Sequence, residues 1–198
     1  GYSNASRWFK NVENQWKILK TEKNKKITSE DYLNWQSKLT KQNLNAPYLV
    51  LYMKSAKDAN ATICLRKNLD LEFFVDYSTY VFYTEDINEA YYLMAMMNSS
   101  VINSAMKDFQ SKGHFGARNV AKKILDIYYP KFNEKDNLHL MLSEVSKKTH
   151  KKVEAYLNEN PPEQALSQIH LGRMRMNIIK HISIEIKEID KLVKQIIK

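Results

Sequence analysis

Large apolar residues are sparse over residues 1–46, where Trp8, Phe9, Val12, Trp16 and Leu19 form one set and Tyr32, Trp35 and Leu39 a second. Steps of three and four within each set predict two short amphipathic helices, the second capped from Ser29-Glu30-Asp31. Tryptophans at this spacing are expected as packing or interface anchors, and base stacking is the less favoured use. From Pro47 the texture changes. Tyr48–Met53 and Ala61–Arg66 are short runs of β-formers around a polar turn, which predicts a hairpin, and Glu72–Asp76 and Thr79–Tyr83 predict two more strands.

The period turns helical again at Asp86. Asp86 is placed to cap, with Glu89 completing a capping box ahead of Tyr91, Tyr92, Leu93, Met96 and Met97. A break is expected at Asn98-Ser99-Ser100, after which Val101, Ile102, Ala105, Met106 and Phe109 resume the pattern. A strand is predicted at Ile124–Tyr129, stopped by Pro130. Leu138, Leu142, Val145, His150, Val153 and Tyr156 place a helix over residues 137–157. Pro161-Pro162 then breaks the chain, and a long helix is expected from Ile169. There Ile179, Ile182, Ile186, Ile189, Val193 and Ile196 step alternately by three and four, a heptad seam that fits either internal packing or a coiled coil.

These elements add up to an α+β fold, a small and mostly antiparallel sheet flanked by helices. Residues 1–46 form a helical arm, 47–157 the α+β domain, and 158–198 a linker with a helical C-terminal extension. The 198 residues, 43% hydrophobic, suffice for a real core. The longest apolar runs, near Tyr48–Met53 and Tyr91–Met97, fall far short of the ~20 residues that cross a bilayer, so no membrane partner is expected. The chain starts at Gly1 in a charged stretch, and we expect it to be a piece of a longer polypeptide.

Composition then narrows the chemistry. A single cysteine, Cys64, excludes a disulfide framework within the chain and suits a reducing, cytoplasmic setting; between Ile63 and Leu65 it is expected as a strand core residue. Four glycines, at positions 1, 113, 116 and 172, leave no room for a dinucleotide or phosphate-cradling loop. The five histidines are scattered without ligand spacing, so no metal site is expected, and Met94, Met96 and Met97 are expected as pliable packing. No serine lies in a nucleophile elbow. Asn160-Pro161-Pro162-Glu163 is similar to the Asn-Pro-Pro-aromatic loop of N6-adenine methyltransferases, but Glu163 replaces the stacking ring, and an interhelical turn is the better reading. No convergent acid, base and nucleophile can be named, and no catalytic residue is expected in this chain.

What remains is charge. Thirty-one Lys and Arg against 22 Asp and Glu give a formal +9, which favours a polyanionic partner. Four of these cations lie in Lys112-Gly113-His114-Phe115-Gly116-Ala117-Arg118-Asn119, followed by Lys122-Lys123, a stretch without an acidic residue. Two glycines three apart allow close backbone approach, the cations suit phosphates, and Arg118 and Asn119 suit guanine and adenine edges. A glycine helix cap followed by a solvated basic turn explains the same composition equally well.

The run Leu93, Ala95, Met96, Met97, Asn98 and Ser99, then the Gly113–Asn119 stretch, then Ile124–Pro130, resembles the target recognition domains of bacterial and archaeal DNA methyltransferases. The resemblance spans roughly residues 47–157 and rests on a pattern of residue types. It implies the C-terminal specificity region of an N6-adenine DNA methyltransferase or restriction-modification enzyme, of type I or type IIG. Double-stranded DNA and a catalytic methyltransferase domain would be the partners. S-adenosylmethionine would belong to the parent protein, with no cofactor in this chain. The DNA-binding residues would be Lys112, Gly113, His114, Phe115, Gly116, Arg118, Asn119, Lys122 and Lys123. Two other functions fit the composition: a subunit-docking module using the aromatic arm and heptad helix, and an RNA-binding domain whose sheet aromatics stack bases.

Overall fold

In the computed structural model the described residues are 2–76, 78–110, 112, 113, 116, 117, 120, 124, 127, 130–162 and 167–198. They show an α+β protein with seven helices and a small antiparallel sheet. The chain divides into two units, one of residues 1–44 with 74–77 and one holding the rest.

In the first unit, α1 (Ser3–Leu19) and α2 (Ser29–Leu33) are held by side chains. The Trp16 ring stacks on Tyr32 at 4.4 Å, and its Nε1 donates to the Ile27 carbonyl at 2.9 Å, so this tryptophan is the anchor expected of it. The cap of α2 lies one residue earlier than the sequence suggests. Thr28 accepts from the Asp31 amide and Asp31 accepts from the Thr28 amide, a complete capping box. The helix lasts five residues because Gln36 and Ser37 adopt left-handed φ values of 57° and 58°, which non-glycine residues enter at a cost. The Asn34 side chain closes that turn by accepting from the Leu39 and Thr40 amides.

The strand expected at Glu72–Asp76 does not form. Val75 instead makes two hydrogen bonds to the Gln42 carboxamide, donating to Oε1 at 2.8 Å and accepting from Nε2 at 2.7 Å. One side chain thus supplies what a neighbouring strand would, and the segment joins the first unit.

In the second unit, β1 (Tyr48–Met53) lies between β2 (Ala61–Leu65) and β3 (Thr79–Thr84), antiparallel to both. Strand β1 is central because Leu49 and Val50 are fully buried. Helix α3 (Ile87–Asn98) packs on β1 and β2 with one side and on α5 (Asn137–Glu159) with another, and α5 packs in turn on α7 (Ser183–Ile196). Being covered on several sides, α3 buries Ala90, Tyr91, Tyr92 and Met94–Met97, as an all-round apolar helix must. The methionines there fill the core. Asp86 caps α3 through the Asn88 amide at 2.8 Å, but Glu89 does not complete a box; its carboxylate accepts the Thr84 hydroxyl at the end of β3. Cys64 is half-buried in β2, and burial pushes its thiol pKa up, away from thiolate reactivity.

The break at Asn98-Ser99-Ser100 is a polar junction. Asn98 uses both ends of its carboxamide on the Ala61 backbone, at 2.7 and 2.9 Å, extending the edge of β2. Ser99 caps α4 (Ser100–Met106), accepting from the Val101 amide while its hydroxyl donates to Asp190 at 2.7 Å. The Ser100 amide and hydroxyl donate to the same carboxylate. Inside α4, buried Asn103 accepts from the Ala59 amide at 2.7 Å and donates to the Met97 and Ser99 carbonyls.

The helical C-terminal extension is interrupted at Ile182, giving α6 (Gln168–His181) and α7. Only α7 uses the heptad seam for burial: Ile189, Leu192 and Val193 are buried, and Lys152 of α5 pairs with Glu185 at 2.7 Å, holding that carboxyl below its usual range. Among the described residues no helix is long and apolar enough to cross a membrane.

The junction predicts that Asp190→Ala lowers stability by about 2–3 kcal/mol, because charge-accepted hydrogen bonds are lost and the buried Ser99 hydroxyl loses the acceptor for its proton. Urea unfolding measures this, and an unchanged midpoint would remove Asp190 from the framework. A second prediction concerns His150 of α5, edge-on to Tyr91. Burial holds its pKa below the ordinary 6.5, with Glu154 opposing. The unfolded chain therefore takes up the proton first, so stability falls as pH drops below about 6.5. His150→Gln should flatten that acid limb of the stability profile; an equal slope in the variant would assign the acid sensitivity to other groups.

Candidate nucleic-acid interface

The helix preceding the basic segment ends at Met106, with Lys107 as its C-cap. Gly113 lies six positions past that cap, so the glycine helix cap is ruled out. The segment is instead a small β-ribbon. Strand β4 (Lys112–Gly113) runs antiparallel to β5 (Gly116–Ala117), with Lys112 opposite Ala117 and Gly113 opposite Gly116.

Both approaches to the ribbon are tied to the domain. Before it, the buried Gln110 donates from Nε2 to the Lys57 carbonyl at 3.2 Å, and Lys107 donates to that carbonyl and pairs with Asp58. After it, Val120 and Ile124 are fully buried members of the main core. Beyond them the Pro130 carbonyl accepts the Tyr92 hydroxyl at 2.8 Å, and Phe132 and His139 lie against the Tyr92 ring. His139 also accepts the Asn133 amide at Nδ1, 3.0 Å away. Ile124 sits in a 3₁₀ turn and Ile127 in a bend, so the strand expected at Ile124–Tyr129 is absent at the described positions within it.

Of the expected DNA-contacting residues, the structure brings Lys112, Gly113 and Gly116 together through the ribbon backbone. His114, Phe115, Arg118, Asn119, Lys122 and Lys123 lie outside the described residues.

The first unit holds a feature that the sequence reading did not anticipate. Ile27, Tyr32, Leu33, Trp35, Leu39 and Val75 line an open apolar cavity of about 580 Å³, with Asn24, Lys38 and Asp76 at its margin. The Gln42–Val75 hydrogen bonds and the left-handed turn after Trp35 set two of its walls. The exposed Trp35 and Tyr32 carry a periodic signal in sequence, but the closing segment at Val75 and Asp76 comes from forty residues further on.

No protein-family model matches the chain, and comparison with curated proteins and with solved structures finds none that is similar to it.

Restoring side-chain polarity at the anchor tests this geometry. Val120→Asp would bury a carboxylate without a designed partner and should cost about 3 kcal/mol or more, seen as a lowered thermal midpoint. A variant as stable as the parent would mean that Val120 does not tether the ribbon.

Proposed function

We propose that this chain is a sequence-reading module for double-stranded DNA, the target recognition part of a DNA methyltransferase or restriction-modification protein. In this reading the methyl transfer, with S-adenosylmethionine, belongs to another domain of the parent. The observation that carries it is the ribbon. A two-stranded β-ribbon is one of the two elements that fit the major groove, and here it occurs where residues 112–123 carry four cations, Lys112, Arg118, Lys122 and Lys123, and no acid. Anchors on both sides support its use as a rigid projection, since groove reading needs a fixed register.

The lysines would supply phosphate contacts and most of the affinity, and Arg118 and Asn119 the base contacts. A sheet-surface platform for RNA has less support. Tyr52 is buried and stacks on Tyr80 at 5.2 Å, and Lys54 covers the Tyr80 ring at 4.9 Å, so these rings are engaged within the domain.

A preferred duplex would first be selected from a random-sequence pool and compared with a scrambled one by fluorescence anisotropy. Arg118→Ala should weaken the selected duplex by ~1–3 kcal/mol and narrow the gap to the scrambled one, whereas Lys122→Gln and Lys123→Gln should weaken both alike and each reduce the salt slope by ~1. Equal affinity of all variants for both duplexes, or a tighter grip on single-stranded RNA, would refute the assignment.

A further inference from the structure

Helix α6 has no buried residue along its fourteen positions, although it carries six aliphatic side chains and methionines plus a glycine. Its apolar residues fall into two opposed sets. Leu171, Met174 and Ile178 are half-buried. On the other side Ile169, Gly172, Met176 and Ile179 step by three, four and three, which gathers them within an arc of about 80° at 100° per residue. Of that second set Ile169 is 67% exposed, Met176 57% and Ile179 51%.

Gly172 sharpens the picture. Glycine inside a helix costs roughly 1 kcal/mol relative to alanine. Nothing in this chain requires it, for a Cβ built there meets no atom within 4 Å. A small residue in the middle of an apolar stripe is what lets a second helix backbone approach closely. The flanks of the stripe are of one sign: Arg173 and Lys180 border it on one side and Arg175 on the other, and α6 contains no Asp or Glu. A second copy of α6 would bring like charges together along the whole seam. A nucleic acid would match the charge but leave the isoleucines and methionine without a partner.

We infer that the Ile169-Gly172-Met176-Ile179 face of α6 docks an amphipathic helix whose own apolar stripe is flanked by carboxylates, seated closest at Gly172. Flanking charges of opposite sign would set the choice of partner, as they do between paired helices. This site is separate from the ribbon and does not depend on the DNA reading.

The probe is a capped synthetic peptide of about three heptads with Leu and Ala at the apolar positions and Glu on the flanks, compared with its Lys-flanked counterpart. Both are titrated into the full chain, with amide chemical shifts and anisotropy as readouts. The Glu peptide should bind, shift the signals of residues 169–180, and weaken as salt rises. The Lys peptide should bind at least ~tenfold more weakly, and Met176→Glu should weaken the Glu peptide by a similar factor with the unfolding midpoint and duplex binding unchanged. Gly172→Ala should raise the unfolding midpoint while weakening the peptide about fivefold, two opposite effects that helix propensity alone would not produce. The inference fails if the two peptides bind equally or not at all, or if Gly172→Ala leaves peptide affinity intact. It also fails if a DNA duplex shifts the same residues, or if sedimentation shows a self-dimer that Met176→Glu dissolves.

Discussion

The carboxylate of Asp190 meets two hydroxyls and one amide at the Ser99–Ser100 junction, and the rest of the second unit is organised around that meeting. The junction lies where α3 must stop so that α4 can turn away. A helix start leaves its first amides without an intrahelical partner, and they need acceptors from elsewhere. Asp190, ninety residues further along the chain, accepts the Ser100 amide and the hydroxyls of Ser99 and Ser100, which also docks α7. Asn98 accepts the amide of Ala61 in β2, and Asn103 that of Ala59, two residues before the strand. Sheet, helix pair and C-terminal helix thereby share one set of polar contacts, and none can shift without unpairing a buried group.

This arrangement gives the motif Leu-x-Ala-Met-Met-Asn-Ser a structural meaning. Its apolar members, Ala95, Met96 and Met97, are core, and its polar members are a three-way clamp. The ribbon emerges just after the helix that this clamp starts, and it returns to the core at Val120 and Ile124. The segment therefore divides by duty: the Asn-Ser junction holds the helices and the edge of β2 together, and the glycine pair joins β4 to β5.

Much of the local structure was legible because it is written in short-range terms. The change of period at Pro47 and at Asp86, the Asp86 cap, the break at Asn98-Ser99-Ser100 and the helix from Asn137 all depend on neighbours within a few residues. Two of the misreadings share one cause. Val75 looks like strand but pairs with the Gln42 side chain; Glu89 looks like a box residue but binds Thr84; the heptad seam looks continuous but turns at Ile182. For Val75 and Glu89 a partner distant in sequence, or on a preceding element, outcompetes the local preference, and at Ile182 the backbone leaves the helical region. The basic segment was marked by its composition, while its ribbon geometry rests on a pairing of only two residues per strand, too short to leave an alternating pattern.

From its amino acids alone this chain determines an α+β class, the approximate extent of its helices, a cationic balance and a glycine-bearing basic segment without an acid, because period, capping and charge are properties of neighbouring residues. Tertiary structure decided which helix of the C-terminal pair is buried, which acid caps the α3–α4 junction, and that the glycine pair closes a ribbon. Those outcomes depend on which distant groups reach one another once apolar surface is withdrawn from water, and a buried polar group accepts whichever partner the packing brings within hydrogen-bond range.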